Sequence, residues 1–386
     1  MSFYILTVAL TAVVTLAFTA IVWRLGLRYR LYPAIRERDV HTTPKPRIGG
    51  VAMYLGVLAA FALSSQVPYF AIIWSSSGVN VWAILAAATL IVAVGVADDL
   101  WDLDWLIKLG VQFLAAGIVV GLGGIQIFFI PIGTQIAVSS WVSFALSVFA
   151  IVIVMNAVNF IDGLDGLVAG VALIANAVFF VYTYLVARDT GASSYSSLAS
   201  FIAVALIAVC LGFLPLNWSP SRLFMGDSGA LLIGLLMATA AIAFTGSLDP
   251  QLLGDSDIFG RSQLLGAFIP ILLPVVVVLL PLLDFGMAVI RRMSRGKSPF
   301  SPDRAHLHHR MLDMGHSDRD AVLVFYAWTA VVSIGVLLMY IGTARSWPGG
   351  YWPGVGYLLL GAVACIVVTL SPSLSHRAAP TVERTS

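Results

Sequence analysis

Eleven stretches of about twenty mostly apolar residues fix what this chain can become. They run over 3–23, 49–70, 79–97, 107–127, 139–158, 166–187, 197–216, 229–246, 263–290, 322–342 and 355–371. A helix of that length matches the hydrocarbon thickness of a bilayer, and in lipid only helices and closed barrels satisfy every backbone polar group. The sequence therefore predicts an all-α, polytopic integral membrane protein of eleven transmembrane helices. With 60% hydrophobic and only 10% charged residues, the chain could not cover a water-facing surface. The first run has no basic residue before it and no small-residue cleavage site, so it reads as a retained span. Pro270, Pro274 and Pro281 predict a kinked or broken ninth helix. Cys210 and Cys365 sit in apolar runs and read as packing residues.

Charge divides the loops. One set holds 18 of the Lys and Arg residues, the other only Arg188, Arg261 and Arg345. By the positive-inside rule the first set is cytoplasmic. An odd number of spans then leaves the N-terminus outside and the C-terminus inside. A net charge of +2 gives no reason to expect a nucleic-acid partner. The acidic stretch SLDPQLLGDSDIFG falls on the outer side and reads as a solvated loop. Trp23, Trp82, Trp141 and Trp328 read as interfacial anchors.

This topology gathers five polar segments, 36–50, 97–108, 156–166, 217–229 and 291–320, at the cytoplasmic surface of a single catalytic domain spanning 1–386. Asp98, Asp99, Asp162, Asp165 and Asp227 lie at or near span ends there. An ionised group at the centre of a span costs about 2.5–3.5 kcal/mol, less at its end, and like charges repel. One carboxylate alone can cap a helix or meet a loop arginine. Five on one face call for a counter-charge. Lys and Arg supply part of it, and oxygen-only ligands would hold a hard dication, Mg²⁺ or Mn²⁺.

Spacing refines the picture. Asp98 and Asp102 are four apart, Asp162 and Asp165 three apart, and Asn159 three before Asp162, so each set shares a helical face. In LFMGDSGALLIG, Asp227 stands at a helix start whose N–H groups would face an anion. A basic loop, SPDRAHLHHRMLDMGHS, carries Arg304, His306, His308 and His309. It suits phosphate binding better than zinc, since no cysteine is near and arginines crowd it. A solvated loop touching anionic headgroups is the alternative. Neither a G-x-x-x-x-G-K-[ST] loop nor a nucleophile elbow occurs. Asn217-Trp218-Ser219 has the form of a glycosylation acceptor but falls on the cytoplasmic face. Together these features suit phosphoryl transfer between a soluble donor and a lipid.

HTTPKPRIGG, DDLWDLDWLIKLGVQ, NAVNFIDGLDGL, FMGDSG and PDRAHLHHRMLDMGHS occur in that order. They resemble the motifs of the polyprenyl-phosphate N-acetylhexosamine-1-phosphate transferases. The H-x-H-H form resembles the GlcNAc-1-phosphate transferase branch, whereas the phospho-MurNAc-pentapeptide translocase branch has three consecutive histidines. The resemblance implies UDP-GlcNAc as donor, a polyprenyl phosphate as acceptor, Mg²⁺ (or Mn²⁺) as cofactor, and residence in the bacterial plasma membrane. UMP and a polyprenyl-diphosphate-GlcNAc would be the products of a first membrane step in cell-envelope glycan synthesis. It implies Asp98, Asp99 and Lys108 as catalytic residues and Asp227 with Asn159 as metal ligands. Asp162 and Asp165 would line the nucleotide pocket, Phe224 would stack on uracil, and Asn217 would contact the base. Lys45, Arg304, His306, His308 and His309 would hold sugar and phosphates, with Asn156 also on the substrate side. Asp284, inside the ninth span, is family-like without an assigned role. A homodimer is compatible with these features. A transferase with another UDP-sugar and a lipid-phosphate transporter are the competing readings. The transporter would need broken spans around a midplane site.

Overall fold

The computed structural model describes residues 1–32, 45–130, 136–137, 139–190, 194–246 and 315–371, with five isolated positions between 286 and 296. The expected ninth span, Asp284 and the histidine loop with Arg304, His306, His308 and His309 lie outside them.

Among the described residues ten helices are long and apolar enough to cross a membrane. They are α1 (Ser2–Arg28), α2 (Gly49–Gln66), α3 (Ala71–Trp101), α4 (Trp105–Gly117), α5 (Ser140–Ile161), α6 (Leu167–Thr190), α7 (Ser194–Asn217), α8 (Gly226–Gly246), α9 (Asp318–Ala344) and α10 (Trp352–Leu370). Each coincides with an apolar run in the sequence. A π-helical turn at Ile118–Leu122 extends α4 to span length. The departure from helix is small, two antiparallel strands of two residues each, Phe129–Ile130 and Ile136–Ala137.

The helices wrap around α8. It packs against α2, α3, α5 and α7, while α1 lies on α2 and α7, α6 on α7, and α10 on α9. In α8, 83% of the span window is buried; in α10 only 11% is. An all-apolar helix belongs in the centre. Outward faces carry Ile5, Val13, Trp141 and Leu360, all exposed. Such a surface is stable only against lipid.

Because the helices alternate in direction, the ends of α3, α5 and α7 meet the starts of α2, α4, α6 and α8 at one face of the bundle. Arg319 at the start of α9 donates to the Ser219 carbonyl, at 2.9 Å from its terminal nitrogen, which brings α9 to that face. His316 Nε2 lies 3.0 Å from the Thr369 carbonyl, so the end of α10 is there too. The start of α1 is at the far face, where Tyr4 packs edge-on against Phe70 and Phe180. The first and last described helical ends thus lie at opposite faces.

Candidate active site

The site is built first from a helix stop. α3 continues to Trp101, and Asp102 then takes a left-handed conformation, φ 55°, with its N–H on the Asp98 carbonyl at 2.9 Å. Aspartate tolerates that conformation better than most residues. Asp98 and Asp102 therefore do not share a helical face, because the helix has already ended. Asp98 Oδ1 accepts from the Leu103 N–H at 2.9 Å and so stitches the turn. The Asp104 side chain accepts from the Leu106 N–H at 2.8 Å and caps α4.

The other oxygen of Asp98 faces inward. Lys108, one turn into α4, places Nζ 2.9 Å from Asp98 Oδ2 and 3.1 Å from Asp227 Oδ2. Asp98 and Asn159 both stand close enough to Asp227 to act on its carboxyl. One ammonium thus bridges two carboxylates from helices far apart in sequence.

Asp99 turns the opposite way. Its Oδ1 accepts from the Asp227 N–H at 2.9 Å, and its Oδ2 from the Ser228 N–H at 3.3 Å and the Ser228 hydroxyl at 2.9 Å. Gly226, just before them, has φ +72°, and a side chain there would collide with the Arg47 carbonyl and with Asp99.

A second cluster lies beside this one. The Phe224 N–H donates to the Pro46 carbonyl at 3.0 Å, Gly49 N–H to Phe224 at 3.0 Å, and Gly50 N–H to Met225 at 2.9 Å. This ladder ties the segment before α2 to the segment before α8. It carries Lys45 to within 5.0 Å of the Phe224 ring centroid, a cation–π distance, and to 3.2 Å from Ser221 Oγ. Asp165 accepts from the Ser221 N–H at 2.9 Å and from its hydroxyl at 2.7 Å, and stands 3.7 Å from Lys45 Nζ.

Asp162 ends α5 as its C-cap, so it and Asp165 lie past the helix instead of on one helical face. Burial pushes the Asp162 carboxyl up to about 8, and Asp227, Asp99 and Asp165 push in the same direction, while Arg47 opposes them. Negative charge therefore exceeds the cations around it.

Two expected substrate contacts have partners within the protein. Asn217, only 4% exposed, accepts from the Gly166 N–H at 3.1 Å and donates to the Leu223 carbonyl at 3.0 Å. Its amide satisfies main-chain groups past the end of α7 and in the 163–166 turn, a structural task beside the base contact the resemblance implied. Asn156 likewise bonds the Gln112 side chain on α4 and the Val152 carbonyl at 2.8 Å. It couples α5 to α4. Ser221 and Ser228, which sequence reasoning passed over, sit at the centres of the two clusters. Ser228 follows Asp227 at a helix start, where a hydroxyl is a recognisable signal.

Among the described residues no three His, Cys, Asp or Glu side chains stand in a ready metal-ligand group. Asp227, with Asn159 and Asp98 near its carboxyl, offers oxygen donors beside several other carboxylates. That donor chemistry fits a hard dication.

Ten membrane-length helices among the described residues, with a carboxylate–lysine cluster where several of their ends meet, define a polytopic membrane protein. Residues 81–245, which hold Asp98, Lys108, Asn159 and Asp227, match the family model described as Glycosyl transferase family 4. The chain is 38% identical over 372 residues to the decaprenyl-phosphate N-acetylglucosaminephosphotransferase of Mycobacterium leprae, covering 95% of this chain and 89% of that one. It is 39% identical to the enzyme of the same name from Mycolicibacterium smegmatis, over 94% and 87% of the two chains. To the probable undecaprenyl-phosphate N-acetylglucosaminyl 1-phosphate transferase of Bacillus subtilis it is 29% identical, over 85% and 82%. The chain belongs to the polyprenyl-phosphate N-acetylhexosamine-1-phosphate transferases, in the N-acetylglucosamine branch.

Proposed function

We propose that the protein transfers GlcNAc-1-phosphate from UDP-GlcNAc to a polyprenyl phosphate at the inner leaflet of a bacterial plasma membrane. An oxygen of the lipid phosphate attacks the β-phosphorus of UDP-GlcNAc. The phosphoanhydride bond to the α-phosphate breaks, UMP leaves, and polyprenyl-diphosphate-GlcNAc forms. The observation that carries this reading is Lys108 held between Asp98 and Asp227 beside Asn159, on a chain whose relatives carry that activity in their names.

A phosphate monoester has a second pKa of about 6, so the lipid phosphate is largely dianionic at neutral pH and scarcely needs a base. Asp98 then has the task of fixing Lys108, whose ammonium meets the diphosphate oxygens. Asp227 and Asn159 would hold Mg²⁺ or Mn²⁺, which when bound neutralises charge on the bridging phosphates. Phe224 and Lys45, set by Asp165 and Ser221, offer a ring and a cation to the nucleotide. The 18-to-3 division of basic residues supports the inner-leaflet side, where a soluble nucleotide sugar is available.

The test uses the purified full chain in detergent with UDP-[³H]GlcNAc, MgCl₂ and decaprenyl phosphate. Labelled lipid and stoichiometric UMP are expected, with loss on EDTA addition and recovery with Mg²⁺ or Mn²⁺. Product from UDP-MurNAc-pentapeptide but none from UDP-GlcNAc would overturn the donor assignment.

A further inference from the structure

Asp98 and Asp99 are adjacent in sequence and have been treated as a pair. On an α-helix successive side chains diverge by about 100°, and here they reach different partners. Asp98 takes the Leu103 N–H and Lys108. Among the described residues Asp99 takes groups of the α8 N-terminus, the N–H groups of Asp227 and Ser228 and the Ser228 hydroxyl. The first N–H groups of any helix lack intrahelical partners and carry the positive end of its dipole. A carboxylate from a neighbouring helix answers both needs. The two helices also touch backbone to backbone: at Gly95, one turn before Asp99, a side chain would collide with the main chain of Ser228.

We infer that Asp99 and Ser228 form an interhelical clamp that holds the first turn of α8 and so aims the Asp227 carboxylate. Asp99 is a positioning residue and Ser228 its partner, while Asp98 is the member of the pair that acts through Lys108 on the reacting groups. Two hydrogen bonds fix the main chain on both sides of the Asp227 Cα and a third holds the Ser228 hydroxyl, leaving the Asp227 side chain few directions in which to point. The clamp builds on the Proposed function only in taking Asp227 as a dication ligand.

Hydrogen exchange of the full-length protein in detergent tests it without substrate or metal. In wild type the amides of Asp227 and Ser228 exchange slowly. In Asp99→Asn they exchange at least about ten-fold faster, with a smaller rise in Ser228→Ala, because a charge-assisted bond is lost or weakened. Asp98→Asn speeds exchange at Leu103 and leaves 227–228 at the wild-type rate. Mn²⁺ binding, followed by electron paramagnetic resonance, weakens about ten-fold in both clamp variants. In the transfer assay their kcat falls by a similar factor while KM for UDP-GlcNAc stays within about two-fold. Wild-type exchange at 227–228 in Asp99→Asn, or wild-type Mn²⁺ affinity in both variants, overturns the clamp. Should Asp99→Asn fail to fold, Ser228→Ala decides by the same two readouts. Absence of GlcNAc-1-phosphate transfer by wild type would instead overturn the proposed activity, and the exchange data would still decide the clamp.

Discussion

Lys108 Nζ stands 2.9 Å from Asp98 Oδ2, closing an ion pair between side chains ten residues apart across the α3–α4 turn. The same nitrogen reaches Asp227, so removing it leaves two carboxylates facing each other. Breaking such a site by deleting one partner is damaging mainly because of the uncompensated charge left behind.

Lys108→Gln should therefore lower kcat by about 100-fold, the scale seen when one preorganised charge-stabilising donor is lost. Lys108→Arg should retain part of the rate. Initial rates with UDP-[³H]GlcNAc check both, and a wild-type rate in Lys108→Gln would refute the assignment.

The Asp165–Ser221–Lys45 cluster predicts a coupled pair. Asp165→Asn and Ser221→Ala should each raise KM for UDP-GlcNAc by about three- to ten-fold with little change in kcat, because each releases the side chain that steadies Lys45. The double variant should be no worse than the worse single one. Additive losses would mean that the two residues act independently.

Asn217→Ala should behave as a stability variant. It leaves the buried Gly166 N–H and Leu223 carbonyl without partners, which costs about 2 kcal/mol. A lowered Tm in detergent with KM for UDP-GlcNAc near wild type is the expected result. A selective rise in KM at unchanged Tm would support the base-contact role.

Asp162 gives a pH signature. Its carboxyl is raised from 3.8 to about 8 in the folded chain, chiefly by burial. A raised value favours the folded state fully below 3.8, and that contribution is lost as pH climbs through 8. Metal-free protein in EDTA should lose Tm as pH rises from about 5 to about 8, and Asp162→Asn should flatten the slope. Equal slopes in the two proteins would show that another group governs the trend.

Much of this was legible beforehand, for physical reasons. Hydrocarbon thickness imposes span length, so all ten described helices coincide with apolar runs. α3 begins at Ala71 and not near 79, because the short 3-10 turn at Pro68–Phe70 starts the helix early and Ser75 to Asn80 do not break it. The carboxylates could be grouped from sequence, since a charge at a span end is costly enough to need a reason. Their directions could not. Reading Asp98 with Asp102 assumed a helix running past Trp101, where it stops, and the reading of Asn217 did not foresee the main-chain groups that its amide also satisfies. Ser228 carried a local signal, a hydroxyl in the first turn of a helix, but its partner, Asp99, lies 129 residues away and no local pattern names it.

The ladder joining 46–50 to 224–225 uses main-chain atoms alone. Its register depends on no side chain at 45, 47 or 224, so a substitution there changes the surface beside Asp165 and Ser221 without shifting the frame that leads into α8 and Asp227.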